Sequence, residues 1–286
     1  MHLGMLLIAA ALIILTRVIA LRGNPRLAYG AALAHFALPP LILLTTALAI
    51  VAMGNQGEMW GMALGRGSYL LAAAFLGISL LSLLRRFAQL GFTLRRLQSY
   101  GSLTLGTQTG RLLPLAFPYS AQMGFWHPQL VVSQGLIDLL TPEHLQAVLA
   151  HEEAHAQYRD TFWFFWLGWL RQLTPWLPYS EALWQELLLL REIRADHWAA
   201  ECQDPLLLAE ALTLVNQTIH RGAEELFEPS LAIPFHQHQQ RFLTRIDSLI
   251  EPALSDALVK TYSRRELLAL FALTLIPFIF IPLHYG

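Results

Sequence analysis

The sequence predicts a mainly α protein: four transmembrane helices plus a cytoplasmic α+β domain with a small β-sheet. Three observations carry this prediction. The chain is 55% hydrophobic but only 14% charged, whereas a soluble domain carries about a quarter charged residues. Four apolar runs approach the roughly 20 residues that a helix needs to cross a bilayer. The only sizeable polar segment lies between the third and fourth of them.

The first run is His2 to Leu21, interrupted only by Arg17 near its end. No basic residue precedes it and no small-x-small site follows, so it reads as an uncleaved span rather than a signal peptide. The second is Ala31 to Met53, with Pro39-Pro40 at its middle. Proline kinks a helix but is tolerated in membranes, where neighbours satisfy the freed backbone groups. His35, inside this run, reads as buried and held by a neighbouring helix rather than as a functional intramembrane group. The third run is Ser68 to Leu84. The fourth is Leu267 to Leu283, with Pro277 and Pro282 inside it. The expected organisation is residues 1–84 with three spans, 85–266 as the cytoplasmic domain, and 267–286 as the fourth span.

Basic flanks set the orientation. Arg22 and Arg26 follow the first run, and Arg85, Arg86, Arg95 and Arg96 follow the third. Lys260, Arg264 and Arg265 precede the fourth, and the loop between the second and third holds only Arg66. All basic clusters fall on one side of a plasma membrane if the N-terminus is outside. The formal net charge of −1 argues against nucleic acid as a direct partner. The single cysteine, Cys202, rules out an intrachain disulfide and fits a reducing compartment.

The polar segment opens with a basic amphipathic stretch, Arg85 to Gln98, read as a helix leaving the membrane. Two β-like runs follow, Leu112 to Tyr119 and Gln129 to Ser133, separated by Gly124, His127 and Pro128. The remainder reads as helices. Thr141-Pro142 is a helix start, because Thr suits the N-cap and Pro the first turn. That helix runs into His151-Glu152-Glu153-Ala154-His155, an H-E-x-x-H pattern. At 3.6 residues per turn the two histidines share a face and can bind one Zn²⁺, leaving Glu152 placed to act as a base on an activated water.

A catalytic zinc needs a third protein ligand and an open position. The downstream candidates are Asp160, Glu181, Glu186, Glu192, His197 and Glu201. Glu192 is the expected ligand. It lies at the inner end of a long apolar helix (Leu183 to Leu190), and Asp196 follows one turn on, placed to accept the free ring N–H of a ligating histidine. Asp160 falls off the ligand face by about 140° if the motif helix simply continues. The aromatic segment Thr161 to Trp176 cannot make a single crossing if Glu192 is a ligand, so it is expected to be interfacial, re-entrant or core. His220, His236 and His238 read as solvated loop histidines rather than a second metal site.

Gln129 to Asp160, QLVVSQGLIDLLTPEHLQAVLAHEEAHAQYRD, resembles the peptidase core of the BlaR/MecR family of membrane zinc metallopeptidases. The Glu192-x-x-x-Asp196 pair and the arrangement of spans extend the likeness. The resemblance implies a gluzincin-like domain in which His151, His155 and Glu192 bind zinc and Glu152 is the catalytic base. It also implies a peptide substrate, in that family a BlaI/MecI-like transcriptional repressor, and residence in the lipid bilayer. The sequence departs from the β-lactam sensors in holding no S-x-x-K motif, so β-lactam sensing by a penicillin-binding domain is not expected of it. A second likeness is to the HtpX-like and prenyl-peptidase group of quality-control proteases, which shares both motifs. The rival readings from other classes are a catalytically inert zinc-binding scaffold and a channel or transporter, for which intramembrane ionisable residues are too sparse. The strand near Leu115 to Ser120 is expected to pair with an extended substrate.

Overall fold

The computed structural model describes residues 14, 17–18, 27–54, 58–59, 62–63, 66–105, 108–226 and 235–281. The first expected span, His2 to Leu21, therefore lies outside the described residues except at 14, 17 and 18. In chain order the elements are α1 (Tyr29–Met53), β1 (Glu58–Met59), β2 (Met62–Ala63), α2 (Arg66–Gln98), β3 (Gly101–Leu105), β4 (Gln108–Leu113), β5 (Ser120–Met123) and β6 (Gln129–Ser133). Then come α3 (Gln134–Leu139), α4 (Pro142–Gln157), α5 (Asp160–Leu173), α6 (Ser180–Cys202) and α7 (Pro205–Leu226). The chain closes with α8 (Phe235–Ile250), α9 (Pro252–Val259), α10 (Arg264–Leu275) and a 3₁₀ turn, Ile276–Phe280. Two compact units result: Met1–Ala88 with Trp166–Leu187 and Lys260–Gly286, and Gln89–Phe165 with Leu188–Val259.

In the first unit, α1 and α2 are long and apolar enough to cross a membrane. In α2 the apolar stretch is mostly exposed, Leu70, Ile78 and Leu81 at 64%, 66% and 68%. A soluble core helix would bury such residues, so this surface supports membrane association. Helix α2 runs unbroken through the basic stretch Arg85 to Gln98.

Helix α1 contains Pro39 and Pro40 yet stays helical. Proline has no N–H, so the carbonyls four residues earlier, His35 and Phe36, lose their helical donors. Arg17 supplies the replacements. Its Nε donates to His35 O at 2.9 Å and its Nη2 to Phe36 O at 3.2 Å, while Nη1 donates to Ser180 Oγ at 2.8 Å. Arg17 is 1% exposed, so it is a buried clamp rather than a charge reaching for the interface. His35 is thus engaged through its backbone. Without such donors a carbonyl in hydrocarbon costs several kcal/mol.

The fourth expected span, Leu267 to Leu283, is not one long helix. Ser263 and Glu266 form a capping box that starts α10. The α-helix ends at Leu275 and gives way to the 3₁₀ turn, in which Pro277 is an early residue. Pro277 lacks the N–H that would continue the ladder. Two candidate spans are thus present among the described residues, where four were expected. The small side chains Ala47, Ala49 and Ala72 pack with Ile50 and Met53 in this unit, joined by Phe278 and Ile281. Gly30 is required at its position because a Cβ there would lie 2.8 Å from the backbone nitrogen of Tyr262.

The second unit holds a mixed four-stranded sheet of order β3-β4-β6-β5. β3 and β4 form an antiparallel hairpin, β4 and β6 run parallel, and β5 pairs antiparallel with β6, Ser120 opposite Val132. The expected strand Gln129 to Ser133 is present as β6, but the expected strand Leu112 to Tyr119 is not. β4 stops at Leu113, because Pro114 and Pro118 cannot donate to a ladder. The intervening chain folds across the start of α3, where Gly135 N–H donates to Leu115 O at 2.9 Å. A Cβ on Gly135 would sit 2.0 Å from Ala116 O, so only glycine permits this crossing. β3 and most of β4 were not among the expected strands, although Leu103 and Leu105 alternate with Ser102 and Thr104 in β3. Leu130, Val132, Leu136, Val148, Leu149 and Ala211 form the core beneath the sheet. Ala147, Ala150, Ala199, Leu208 and Leu249 join α4, α6, α7 and α8, alanine letting the helices approach closely. His220 lies on α7, and His236 and His238 lie on α8 rather than in loops. The last two have side chains outside the described residues.

Candidate metal centre

Helix α4 starts as its sequence requires. Thr141 is the N-cap, its side chain accepting from His144 N, and Pro142 occupies the first turn. The helix delivers His151, Glu152 and His155 as buried residues at its C-terminal end. The next residue of its pattern, Glu153, faces away and accepts from Gln108 Nε2 at 2.9 Å.

Glu192, on α6, meets the two histidines. One ligand atom from each of His151, His155 and Glu192 lies within 4.8 Å of the others. His151 Nε2 and His155 Nε2 are 3.1 Å apart. Glu192 Oε2 is 3.5 Å from His151 Nε2, and Glu192 Oε1 is 3.8 Å from His155 Nε2. Donors on a tetrahedral zinc with arms of about 2.0–2.1 Å stand about 3.4 Å apart, so these spacings fit such an ion.

Each histidine has a carboxylate behind it. Asp196 Oδ1 is 2.8 Å from His151 Nδ1, close enough for an ion pair although the angle falls short of a hydrogen bond. Asp160 Oδ2 is 2.8 Å from His155 Nδ1. With protons at the two Nδ1 positions, both Nε2 lone pairs converge on one point. That arrangement is repulsive unless a proton or a cation lies between them.

The electrostatics describe the same demand for positive charge. Burial disfavours the charged form of His151, but the neighbouring Asp196 and Glu192 carboxylates outweigh it and push its pKa up to about 9. Burial likewise opposes ionisation of Glu192, yet His151, Arg245 and Arg191 hold it well below the usual carboxylate range. Arg245, on α8, grips Asp196 through Nε at 2.7 Å and Nη2 at 2.8 Å, and its Nη1 is 3.4 Å from Glu192 Oε2.

Glu152 is held at one oxygen only. Ser120 Oγ, on β5, donates to Glu152 Oε1 at 2.6 Å. The other oxygen, Oε2, is buried with no hydrogen-bond partner. A buried carboxylate oxygen without a partner is uncommon in native folds.

The other candidates are engaged elsewhere. Asp160 backs His155 instead of joining the cluster, and Glu181 pairs with Arg171. His197 lies 3.5 Å from Glu201 and 3.6 Å from Asp256. Sequence reasoning missed Arg194, Arg245 and Ser120, and it weighed Asp160 only as a ligand, not as a partner of His155. For Asp160 it assumed that the helix continues, but α4 ends at Gln157 and Arg159 adopts φ 53°. That left-handed residue swings the chain so that Asp160 opens a new helix and turns back toward His155. The other three come from separate elements, with no spacing signal to join them to the motif.

The model of peptidase family M48 matches residues 119–185, less than a quarter of the 286-residue chain. No solved structure matches. The matched segment includes β5, β6 and the whole H-E-x-x-H helix, and it ends before Glu192. The match supports a metallopeptidase; it does not reach the BlaR/MecR family specifically.

Proposed function

We propose that this chain is a membrane-anchored zinc endopeptidase, with His151, His155 and Glu192 as metal ligands, Glu152 as general base and Asp196 orienting His151. The observation that carries this reading is the convergence of both Nε2 atoms and the Glu192 carboxylate within 4.8 Å, with the buried Glu152 following His151 on the same helix. Two imidazoles and one carboxylate are the donor set of many catalytic zinc sites. Zinc, when bound there, would supply Lewis acidity toward a water and the scissile carbonyl. Glu152 Oε2 takes a proton from the attacking water and passes it to the leaving amine. Ser120 keeps Oε1 fixed while this happens. The outermost strand β5, rather than the chain near Leu115, is the sheet edge beside Glu152 where an extended peptide can pair. Helix α5 has 14 residues, about 21 Å, too short to cross a core of about 30 Å; this suits an interfacial or core position.

In this reading residues 85–266 face the cytoplasm, the N-terminus is outside, and the substrate is a cytoplasmic regulator, in the likeness of a BlaI/MecI-type repressor. Purified protein in detergent should hold about one zinc per chain and hydrolyse fluorescently labelled casein. A zinc chelator should stop hydrolysis, added zinc should restore it, and His155→Ala should lose the metal. Full zinc retention in His155→Ala would remove that residue from the site, and bound zinc without hydrolysis of any substrate would leave the inert scaffold.

The orientation rests on the basic flanks. With Cys202→Ser as background, an exposed Ser102→Cys on β3 should resist an impermeant thiol reagent added to intact cells and react after lysis. Labelling from outside would refute it.

A further inference from the structure

We infer that Asp160 is a positioning residue for the metal ligand His155, held in place by Arg194, so that each candidate histidine ligand rests on its own aspartate–arginine pair. The inference depends on the metal-site reading above. It assigns a role to two residues outside the ligand set.

Five observations converge on it. Asp160 is 3% exposed, a depth at which a carboxylate must be paired. Its two oxygens are used separately: Oδ2 lies 2.8 Å from His155 Nδ1, and Oδ1 accepts from Arg194 Nη2. Arg194 is itself buried and stacks over the Tyr158 ring at 4.2 Å from its centroid. The backbone is bent to allow this, with Arg159 at φ 53° between Tyr158 and Asp160. A non-glycine residue is placed in the left-handed region at an energetic cost. The arrangement mirrors Asp196 and Arg245 behind His151. With Oδ2 accepting from Nδ1–H, the Nε2 lone pair of His155 is left for the ligand cluster, and the hydrogen bond opposes rotation of the ring. Arg194 and Glu192 lie on the same helix, α6. One helix thus supplies the third ligand and braces the second.

The test is zinc affinity, measured on the purified full-length protein by titration against a competing chelator, with melting temperature followed in parallel. Asp160→Asn should weaken zinc binding by about 10- to 100-fold, the usual effect of losing an outer partner of a ligating histidine. That variant leaves Arg194 buried without its anion and can lose stability for that reason alone. Asp160→Asn with Arg194→Gln removes both charges; it should recover stability yet keep the weakened affinity. Tyr158→Leu removes the ring under Arg194 without touching His155; it should lower the melting temperature and leave zinc affinity within about twofold. Wild-type affinity in a folded Asp160→Asn or in the double variant would overturn the inference, as would a Tyr158→Leu protein whose affinity falls as far as that of Asp160→Asn. A wild-type protein that binds no zinc would instead overturn the metal-site reading itself.

Discussion

Glu152→Gln should keep its zinc and lose its proteolysis. The amide has the size of the carboxylate and can still accept from Ser120 Oγ, which now holds Oε1 at 2.6 Å. It is not one of the convergent candidate ligands, so metal content should stay near one equivalent. What it cannot do is take a proton at the position of Oε2, the buried oxygen left without a partner. General-base catalysis contributes about 10²- to 10⁴-fold, so casein hydrolysis should fall by at least that lower figure. Hydrolysis by Glu152→Gln at the wild-type rate, with zinc bound, would refute the assigned mechanism.

Glu192→Ala should weaken zinc binding by more than about 100-fold, beyond what losing an outer partner costs. Its carboxylate oxygens stand 3.5 and 3.8 Å from the two imidazole nitrogens, and Arg191 fixes it with donations of 3.0 and 2.7 Å to Oε1. Glu186 is the control on the same helix. It lies six residues earlier, about 9 Å along the axis and about 120° around it, and Glu186→Ala should leave zinc affinity unchanged. Asp196→Ala should fall between them, about 10- to 100-fold. It also strands the buried Arg245, so its affinity must be read beside its melting temperature. A Glu186→Ala variant more damaging than Glu192→Ala, with the fold intact, would reassign the third ligand and leave the metallopeptidase reading standing.

Much of the site was legible because a helix converts spacing into direction. A spacing of four residues from His151 to His155 places both on one face, and Thr141-Pro142 announces where that helix begins. Glu192 and Asp196 repeat the same spacing on α6, so the pair was visible as a pair. β6 was legible from its run of buried β-branched residues. The sheet was less so. Leu112 to Tyr119 is apolar enough for a strand, but two prolines remove its donors, and the Gly135 amide takes a carbonyl that a ladder would use.

By itself, the sequence determined what local physics can carry: apolar runs of bilayer length, caps, and two histidines on one helical face with a glutamate beside the first. It could not determine contacts that depend on where separate elements meet. Arg17 on the carbonyls freed by Pro39 and Pro40 joins residues 18 and 19 apart. Arg245 reaches Asp196 across 49 residues, and Arg194 reaches Asp160 across 34. A buried charge takes whichever partner the packed helices bring within about 3 Å, because leaving it unpaired costs several kcal/mol. That choice is made by packing, and no periodicity records it. Asp160 shows the limit most plainly: one left-handed residue, Arg159, ended a helix that the pattern alone would have continued. It thereby turned a carboxylate that linear spacing had set aside into the support of a candidate metal ligand.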